Sequence, residues 1–168
     1  MKTLTVLLFT CCIVALPACS GEDAEDADQV QEFAAEDADF ANYTDWTQTI
    51  EPRRGEDPAG LIGEAHGADD TEMTRHVFIN DENAMRDADG DFPIGTRLVK
   101  EVRKPDGSVA VVTAMAKRGG AFNAENGSWE WFLLDETGAI QNRGANMMND
   151  QCNECHAQVA DEDYVFTR

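Results

Sequence analysis

Positive charge is scarce in this sequence. Its 168 residues include 13 Lys and Arg against 33 Asp and Glu, which gives a formal net charge of −20. A chain of this sign is repelled by phosphate backbones, so we expect no nucleic-acid partner. The acidity suits a well-solvated protein, and it also suits one that meets a basic redox partner. The length predicts a single domain with one core.

A long hydrophobic run is missing as well. The apolar stretch at residues 4–16 is too short to span a bilayer as a mature helix. Because Lys2 precedes it, the stretch predicts a signal peptide over residues 1–18.

The end of this stretch, LPAC at residues 16–19, resembles a bacterial lipobox. The resemblance implies cleavage before Cys19 and a diacylglycerol on its thiol, with simple secretion after cleavage near the same point as the alternative. Ser20 follows instead of an aspartate, which by resemblance to bacterial sorting rules favours the outer membrane. We therefore expect a periplasm-facing lipoprotein of the bacterial cell envelope, bound to the membrane by its lipid anchor only.

Basic residues are also absent between Cys19 and Arg53. Residues 21–40, GEDAEDADQVQEFAAEDADF, are mostly Glu, Asp and Ala, so they bury little apolar surface and repel one another into an extended form. We predict a lipidated cysteine and disordered acidic tether over residues 19–42, and a folded domain over residues 43–168. Metal or partner binding by these carboxylates is the alternative.

Cysteine is scarce in the predicted mature domain. Cys11 and Cys12 leave with the signal peptide and Cys19 takes the lipid, so only Cys152 and Cys155 remain. An exported compartment is oxidising, and two isolated thiols there form a disulfide unless something else binds them.

The remaining pair belongs to a Cys-x-x-Cys-His motif that ends at His156. A structural zinc site needs two further ligands, and no second cysteine pair supplies them. A thioredoxin-type redox pair needs a βαβ setting and has no use for the histidine. A helix with two thiols one turn apart can add to the two vinyl groups of a haem, and the adjacent imidazole then binds the iron. The motif predicts one covalently bound haem c, with Cys152 and Cys155 as thioethers and His156 as the metal ligand.

The rest of the chain predicts an α+β fold, mainly an antiparallel sheet with a few short helices. Alternating apolar residues predict strands at 75–79, 96–104, 108–117, 129–134 and 139–142. Turn residues at 105–107 and 135–138 predict hairpins. Short helices are expected at 42–50 and 81–85, and a helix at 146–158 carries the haem motif. Residues 51–70 predict a loop. Residues 87–91, DADGD, predict a turn, with a partial calcium loop as the alternative.

One lysine is unusual within the predicted strands. Alternation places the charged Lys100 on the same face as the apolar residues Leu98 and Val102. It is either an edge lysine that reaches to water or a desolvated amine that acts as a nucleophile. The hairpin places it opposite Thr113 or one residue away.

Several separated motifs resemble the cytochrome P-460 family over residues 43–168. They are FPIGT at 92–96 with VKE at 99–101, AKR at 116–118, WEWF at 129–132, the haem motif, and DYVF at 163–166. The resemblance implies a mainly β fold shared with the β-type cytochromes c′, a haem bound near the C-terminus and oxidation of hydroxylamine. It also implies a lysine cross-linked to the haem macrocycle, at the position of Lys100.

The resemblance assigns two residues to the distal pocket. Arg75 matches an arginine that hydrogen-bonds a ligand on the iron, with a surface arginine as the alternative. Thr113 lies where hydroxylamine-oxidising members are expected to have a carboxylate, and a threonine cannot take protons at neutral pH. Other candidates for an axial ligand have ordinary structural interpretations: His66, His76, Met73, Met115, Met147 and Met148. Trp129 and Trp131 are predicted to pack in the sheet.

Two classes of function follow. The first is a haem-dependent oxidoreductase that oxidises hydroxylamine and passes electrons to a soluble or membrane acceptor. The second is a non-catalytic cytochrome that binds nitric oxide or carries electrons. Both bind a small nitrogenous ligand or exchange electrons, and a homodimer is compatible with either.

Overall fold

The computed structural model describes residues 32–49, 53–54, 72–81, 83–84, 86–87 and 89–166. Two α-helices are present, α1 (Asp37–Phe40) and α2 (Gln151–His156). The strands are β1 (Thr47–Gln48), β2 (Arg53–Arg54), β3 (Thr74–Ile79), β4 (Arg97–Arg103), β5 (Val109–Lys117), β6 (Trp129–Leu134) and β7 (Ile140–Gly144). Short 3-10 helices lie at Tyr43–Asp45, Ala124–Asn126 and Ala157–Glu162. Within this described part, no helix has the length and apolar character to cross a membrane.

The strands form one antiparallel sheet in the order β1-β3-β4-β5-β6-β7, and β2 also pairs with β3. The five predicted strands are confirmed at nearly the predicted bounds, and so is the α+β class. The β4–β5 hairpin closes where the N–H of Gly107 donates to the carbonyl of Lys104 (2.9 Å). Asp106 stabilises this turn by accepting hydrogen bonds from the N–H and hydroxyl of Ser108 (2.9 and 2.6 Å).

The predicted short helices fit less well. Residues 42–50 contain only the 3-10 turn Tyr43–Asp45, followed by β1, because the chain at Thr47–Gln48 pairs with β3. At 81–85 the described residues form a turn, with the N–H of Ala84 bonded to the carbonyl of Asp81 (3.1 Å), and none of them is helical. The loop predicted at 51–70 includes β2, while its other residues, His66 among them, lie outside the described ranges.

The sheet is covered on both faces. The first face is defined by one buried cluster: Ala35, Phe40, Tyr43, Phe78, Val99, Val112, Ala114, Ala116, Phe132 and Leu134. The second face is defined by another: Val77, Ile79, Phe92, Leu98, Met115, Trp129, Trp131 and Val165. Because successive side chains of a strand point to opposite faces, Lys100 lies on the second face, two residues from Leu98.

The first face is covered by a segment that was predicted to be a tether. Phe40 is fully buried (0% exposed), and its ring lies 4.9 Å from that of Phe132, centroid to centroid. The N–H of Phe33 bonds to the carbonyl of Arg118 (2.8 Å). Residues 33–42 therefore belong to the folded domain, and the predicted tether over 19–42 is wrong for this part. Residues 1–31, with the predicted signal peptide and Cys19, lie outside the described ranges.

The acidic composition of this segment led to the prediction of a tether, although the segment covers the first face. Its carboxylates are not left facing one another: Asp39 pairs with Arg97 (2.5 Å) and Asp37 accepts a hydrogen bond from the N–H of Ile140 (2.9 Å). The aromatic rings between the acids supply the buried surface. A few aromatic rings at buried positions stabilise this segment, although its average composition is too polar to predict folding.

Candidate functional site

The Cys-x-x-Cys-His motif lies on α2, which packs on the second face of the sheet. The helix begins at Gln151, later than the predicted residue 146, because Met148, Asn149 and Asp150 have left-handed backbones (φ 55°, 54° and 71°). Such residues cannot belong to a right-handed helix. The chain continues after His156 as the 3-10 helix Ala157–Glu162, so the motif occupies a short α-helix between these two segments.

Asn153, between the two cysteines, attaches this helix to the sheet. Its Oδ1 accepts hydrogen bonds from Trp131 Nε1 (2.7 Å) and Asn123 Nδ2 (3.0 Å). Its Nδ2 donates to the carbonyl of Ala145 (3.0 Å) and to Asp150 Oδ1 (2.6 Å). All four of its side-chain hydrogen-bonding positions are used, and the residue is buried (3% exposed). Sequence reasoning missed this residue, since a haem motif leaves the position unspecified.

His156 is held in one tautomer. Its Nδ1 lies 2.6 Å from the backbone carbonyl oxygen of Tyr164. A carbonyl only accepts, so Nδ1 carries the proton and Nε2 carries the lone pair that can bind a metal. The imidazole also contacts two aromatic rings, Trp131 at 4.6 Å and Phe166 at 5.3 Å between centroids. The ring is oriented on three sides by groups of this chain.

The two thiols lie beside this imidazole, and both are half-buried. Burial, reinforced by the nearby Cys155 and Asp150, raises the pKa of the Cys152 thiol to about 11. Redox-active and zinc-binding cysteines usually have a lowered pKa, because the thiolate is the reactive form. Cys152 therefore lacks the environment of an activated, thiolate-forming cysteine.

Lys100 and Thr113 lie on the same face of the sheet as the motif. They are direct partners in the β4–β5 pairing, and both are half-buried. Their row continues through Val77 and Leu133. It lies two residues along the strands, about 7 Å, from the row that contains Trp131. Of the two predicted registers, the direct one is confirmed.

The structure excludes one alternative interpretation of Lys100 and one of Arg75. Strand β4 lies between β3 and β5, so Lys100 does not shield an edge of the sheet. Arg75 is fully buried (0% exposed), and its Nη1 donates to the carbonyl of Met73 (3.4 Å). The surface interpretation of Arg75 is therefore wrong. Its place beside Val102 sets it one row beyond Lys100 on the second face, and its role toward a ligand stays a prediction.

His76 lies on the first face, away from the motif. Its ring nitrogens contact Thr74 Oγ1 (3.2 Å) and Gln48 Oε1 (3.3 Å). Burial, and then the cation of Arg103, lower its pKa. His76 lies on the opposite face from α2, so its interpretation as an axial ligand of a group held by that helix is wrong. Met115 and Met147 contribute to the second-face cluster, as predicted for core methionines.

The DADGD segment is a turn, as predicted. Asp87 Oδ1 accepts hydrogen bonds from the N–H groups of Asp89 (2.9 Å) and Asp91 (3.0 Å). These bonds lower the pKa of Asp87. Among the residues that the structure describes, no group of three or more His, Cys, Asp or Glu side chains could hold a metal ion.

Comparison with known families gives one finding. A model of the cytochrome P-460 family matches residues 40–167, which cover the sheet, the motif helix and the C-terminal turn. No curated protein matches the chain.

Proposed function

Because the chain belongs to the cytochrome P-460 family, and is thus a haem-binding cytochrome, we propose that it is an exported mono-haem c-type cytochrome. In this proposal it binds hydroxylamine or nitric oxide at a haem whose distal side is open. The observation that carries the proposal is the arrangement of α2. An imidazole held by the Tyr164 carbonyl adjoins two half-buried thiols one turn apart.

The residues present fit a haem attached in this way. Cys152 and Cys155 would form the thioether bonds, and His156 would bind the iron through Nε2. The Nδ1–H bond to a carbonyl is the outer contact that such a histidine usually makes, and it fixes the ring orientation. When bound, the haem would supply an iron that takes a small nitrogenous ligand and exchanges single electrons.

Lys100 supports a further covalent contact. Its side chain lies on the motif's face of the sheet, in a central strand between Val77 and Thr113, and is half-buried. The family resemblance assigns this position to a lysine–haem cross-link, and we propose that Lys100 forms it.

The choice between enzyme and carrier depends on the Lys100 row. This row contains Val77, Thr113 and Leu133 beside Lys100, and none of these side chains is a base at neutral pH. The neighbouring carboxylate of Glu101 points to the first face, where the hydroxyl of Tyr43 donates to it (2.7 Å). This observation favours the second candidate function, a non-catalytic cytochrome that binds nitric oxide or transfers electrons to a soluble or membrane partner.

Export and anchoring are proposed from the sequence. The signal-like residues 1–18 and Cys19 support a periplasm-facing lipoprotein of the outer membrane. In fractionated cells, Cys19→Ser should move the protein from the membrane to the soluble fraction. A wild-type protein that is already soluble would instead indicate simple secretion.

Covalent attachment is tested in a host with cytochrome c maturation. Haem staining of denaturing gels should mark the wild-type band and miss the double variant Cys152→Ala, Cys155→Ala. The ferric protein should then bind nitric oxide or hydroxylamine with a change in its visible spectrum. Staining that persists in the double variant would refute the attachment, and an unchanged spectrum would refute an open distal side.

A further inference from the structure

A buried ion pair involves the residue that precedes Tyr164, whose carbonyl binds His156. Lys117 Nζ contacts Asp163 Oδ1 at 2.6 Å, and the side chains are only 7% and 1% exposed. The other oxygen, Oδ2, accepts the N–H of Phe92 (2.8 Å). Trp129 Nε1 donates both to Asp163 Oδ1 (3.2 Å) and to the Asp163 carbonyl (2.9 Å). Asp163 is thus fixed by three elements of the second face.

The residue after Asp163 supplies the carbonyl that holds His156. Tyr164 has a left-handed backbone (φ 62°), as does Asp163 (φ 51°), which costs conformational energy in residues other than glycine. Its N–H bonds to the carbonyl of Val159 (3.0 Å), and its hydroxyl donates to the carbonyl of Glu125 (3.0 Å). A strained turn persists only where surrounding contacts determine it, and the bonds of Asp163 to Lys117, Phe92 and Trp129 supply such contacts here.

A buried ion pair is weak evidence for stability, because desolvation of the two charges offsets much of their attraction. The Lys117–Asp163 pair has its effect here through the position of Asp163 in the turn. Contacts of Asp163 with Lys117, Trp129 and Phe92 fix the turn, and the turn aims the Tyr164 carbonyl at His156 Nδ1.

We propose that Lys117 and Asp163 are positioning residues that set the donor strength of the proximal histidine. The inference rests on the proposed function, in which His156 binds a haem iron. A short hydrogen bond from Nδ1–H to a carbonyl gives the imidazole more imidazolate character, so that it donates more strongly to iron. Stronger donation stabilises the ferric state and lowers the reduction potential. A weakened Lys117–Asp163 pair should therefore raise the potential without any change in the ligand itself.

Three variants test this in the haem-loaded protein. Asp163→Asn removes the charge that faces Lys117 with little change in shape, and Lys117→Met removes the cation with a similar chain length. In both, the iron–histidine stretching frequency of the ferrous protein should fall and the reduction potential should rise. Lys117→Arg retains a cation and should bring both values back toward wild type. If Asp163→Asn does not fold, Lys117→Met carries the test.

The control is an ion pair on the first face whose carboxylate is buried. Arg143 Nε contacts Glu130 Oε1 at 2.7 Å, and Glu130 is 2% exposed. Glu130→Gln removes a buried charge as Asp163→Asn does, but Glu130 does not touch the turn at Tyr164. It should lower the thermal midpoint and leave the stretching frequency and the potential unchanged.

The outcomes separate the two proposals. A wild-type protein without covalent haem would overturn the proposed function and this inference together. A haem-loaded Lys117→Met with the wild-type stretching frequency and potential would overturn the inference alone. Equal shifts in Glu130→Gln would also overturn it, because they would reflect a general loss of rigidity.

Discussion

The two faces of the sheet differ in how their polar groups are arranged. On the first face the buried carboxylates are closed into hydrogen-bonded pairs: Glu101 with Tyr43 and Arg103, and Glu130 with Arg143. On the second face one buried carboxylate, Asp163, is likewise paired with Lys117. The second face differs because it also holds five half-buried side chains with reactive groups: Lys100, Thr113, Cys152, Cys155 and His156. A closed polar network stabilises one conformation, while half-buried reactive groups leave room for a ligand.

The difference indicates that the two faces of the sheet have different roles. The first face is covered by the segment before β1, whose aromatic rings fill the space against the strands. The second face is covered by α2 and the residues after it, which present the imidazole and thiols instead of a continuous apolar surface. Substitutions on the first face should therefore change stability, and those on the second face should change the haem.

The largest expected effect is on Lys100. If Lys100 is cross-linked, the wild-type ferrous absorption should be strongly red-shifted, because a bond to the ring interrupts its conjugation. Lys100→Leu should abolish this shift and leave an ordinary c-type spectrum with His156 and both thioethers intact. Mass spectrometry of a digest should find a haem peptide that joins the Lys100 strand to α2 in wild type only.

The control for this substitution is Lys104→Leu, at an exposed lysine just after β4. It should leave the spectrum unchanged and alter stability by only a few tenths of a kcal/mol. An ordinary c-type spectrum in the wild type would remove the cross-link and place the protein beside the β-type cytochromes c′.

The first face is tested by Phe40→Ala. Because the ring is fully buried against Phe132, its loss should reduce the free energy of unfolding by about 3–5 kcal/mol. Denaturant unfolding should measure the loss, and the visible spectrum of the remaining folded protein should stay that of wild type. Phe122→Ala, at a half-buried ring outside both clusters, should cost less. A loss under about 1 kcal/mol for Phe40→Ala would mean that residues 33–42 contribute little to the fold and behave as the predicted tether.

Turnover is tested on the second face by Thr113→Glu. A carboxylate opposite Lys100 would supply the missing base, and general bases typically contribute at least about 100-fold to a rate. We therefore expect hydroxylamine oxidation to rise by about 100-fold in Thr113→Glu. Thr113→Gln has the same shape without the base and should stay at the wild-type rate. Equal rates in both variants would show that the lack of a base does not limit turnover.

The strands and a helix that carries the Cys-x-x-Cys-His motif were predictable from the sequence, and the contacts that hold this helix were not. Alternating residues and turn signals predicted β3 to β7, and one motif predicted the residues on α2. Asn153 and Asp163 act through partners distant in the chain, Trp131 and Lys117, which no local pattern reveals. The late start of α2 depends on left-handed residues whose side chains are compatible with a helix. Their conformation is imposed by tertiary contacts, and local propensity does not predict it.

The smallest effect concerns Tyr43 and the pH dependence of stability. Burial and the hydrogen bond to Glu101 raise the pKa of Tyr43 above its ordinary value near 10. In the unfolded chain this tyrosine loses its proton near pH 10, while in the folded chain it keeps it. Its contribution is therefore complete below pH 10 and is lost as the pH rises through the higher folded pKa.

Tyr43→Phe keeps the ring and removes the hydroxyl, so it should cost about 1.5 kcal/mol at pH 8, as expected for a hydrogen bond to a charged group. The difference between wild type and variant should shrink at pH 11, because only the wild type loses the tyrosine's contribution there. Denaturant unfolding of both proteins at the two pH values measures this, and the comparison cancels the titration of Tyr164 and the lysines. If the difference in free energy of unfolding stays constant or grows with pH, the pKa of Tyr43 is not raised by folding.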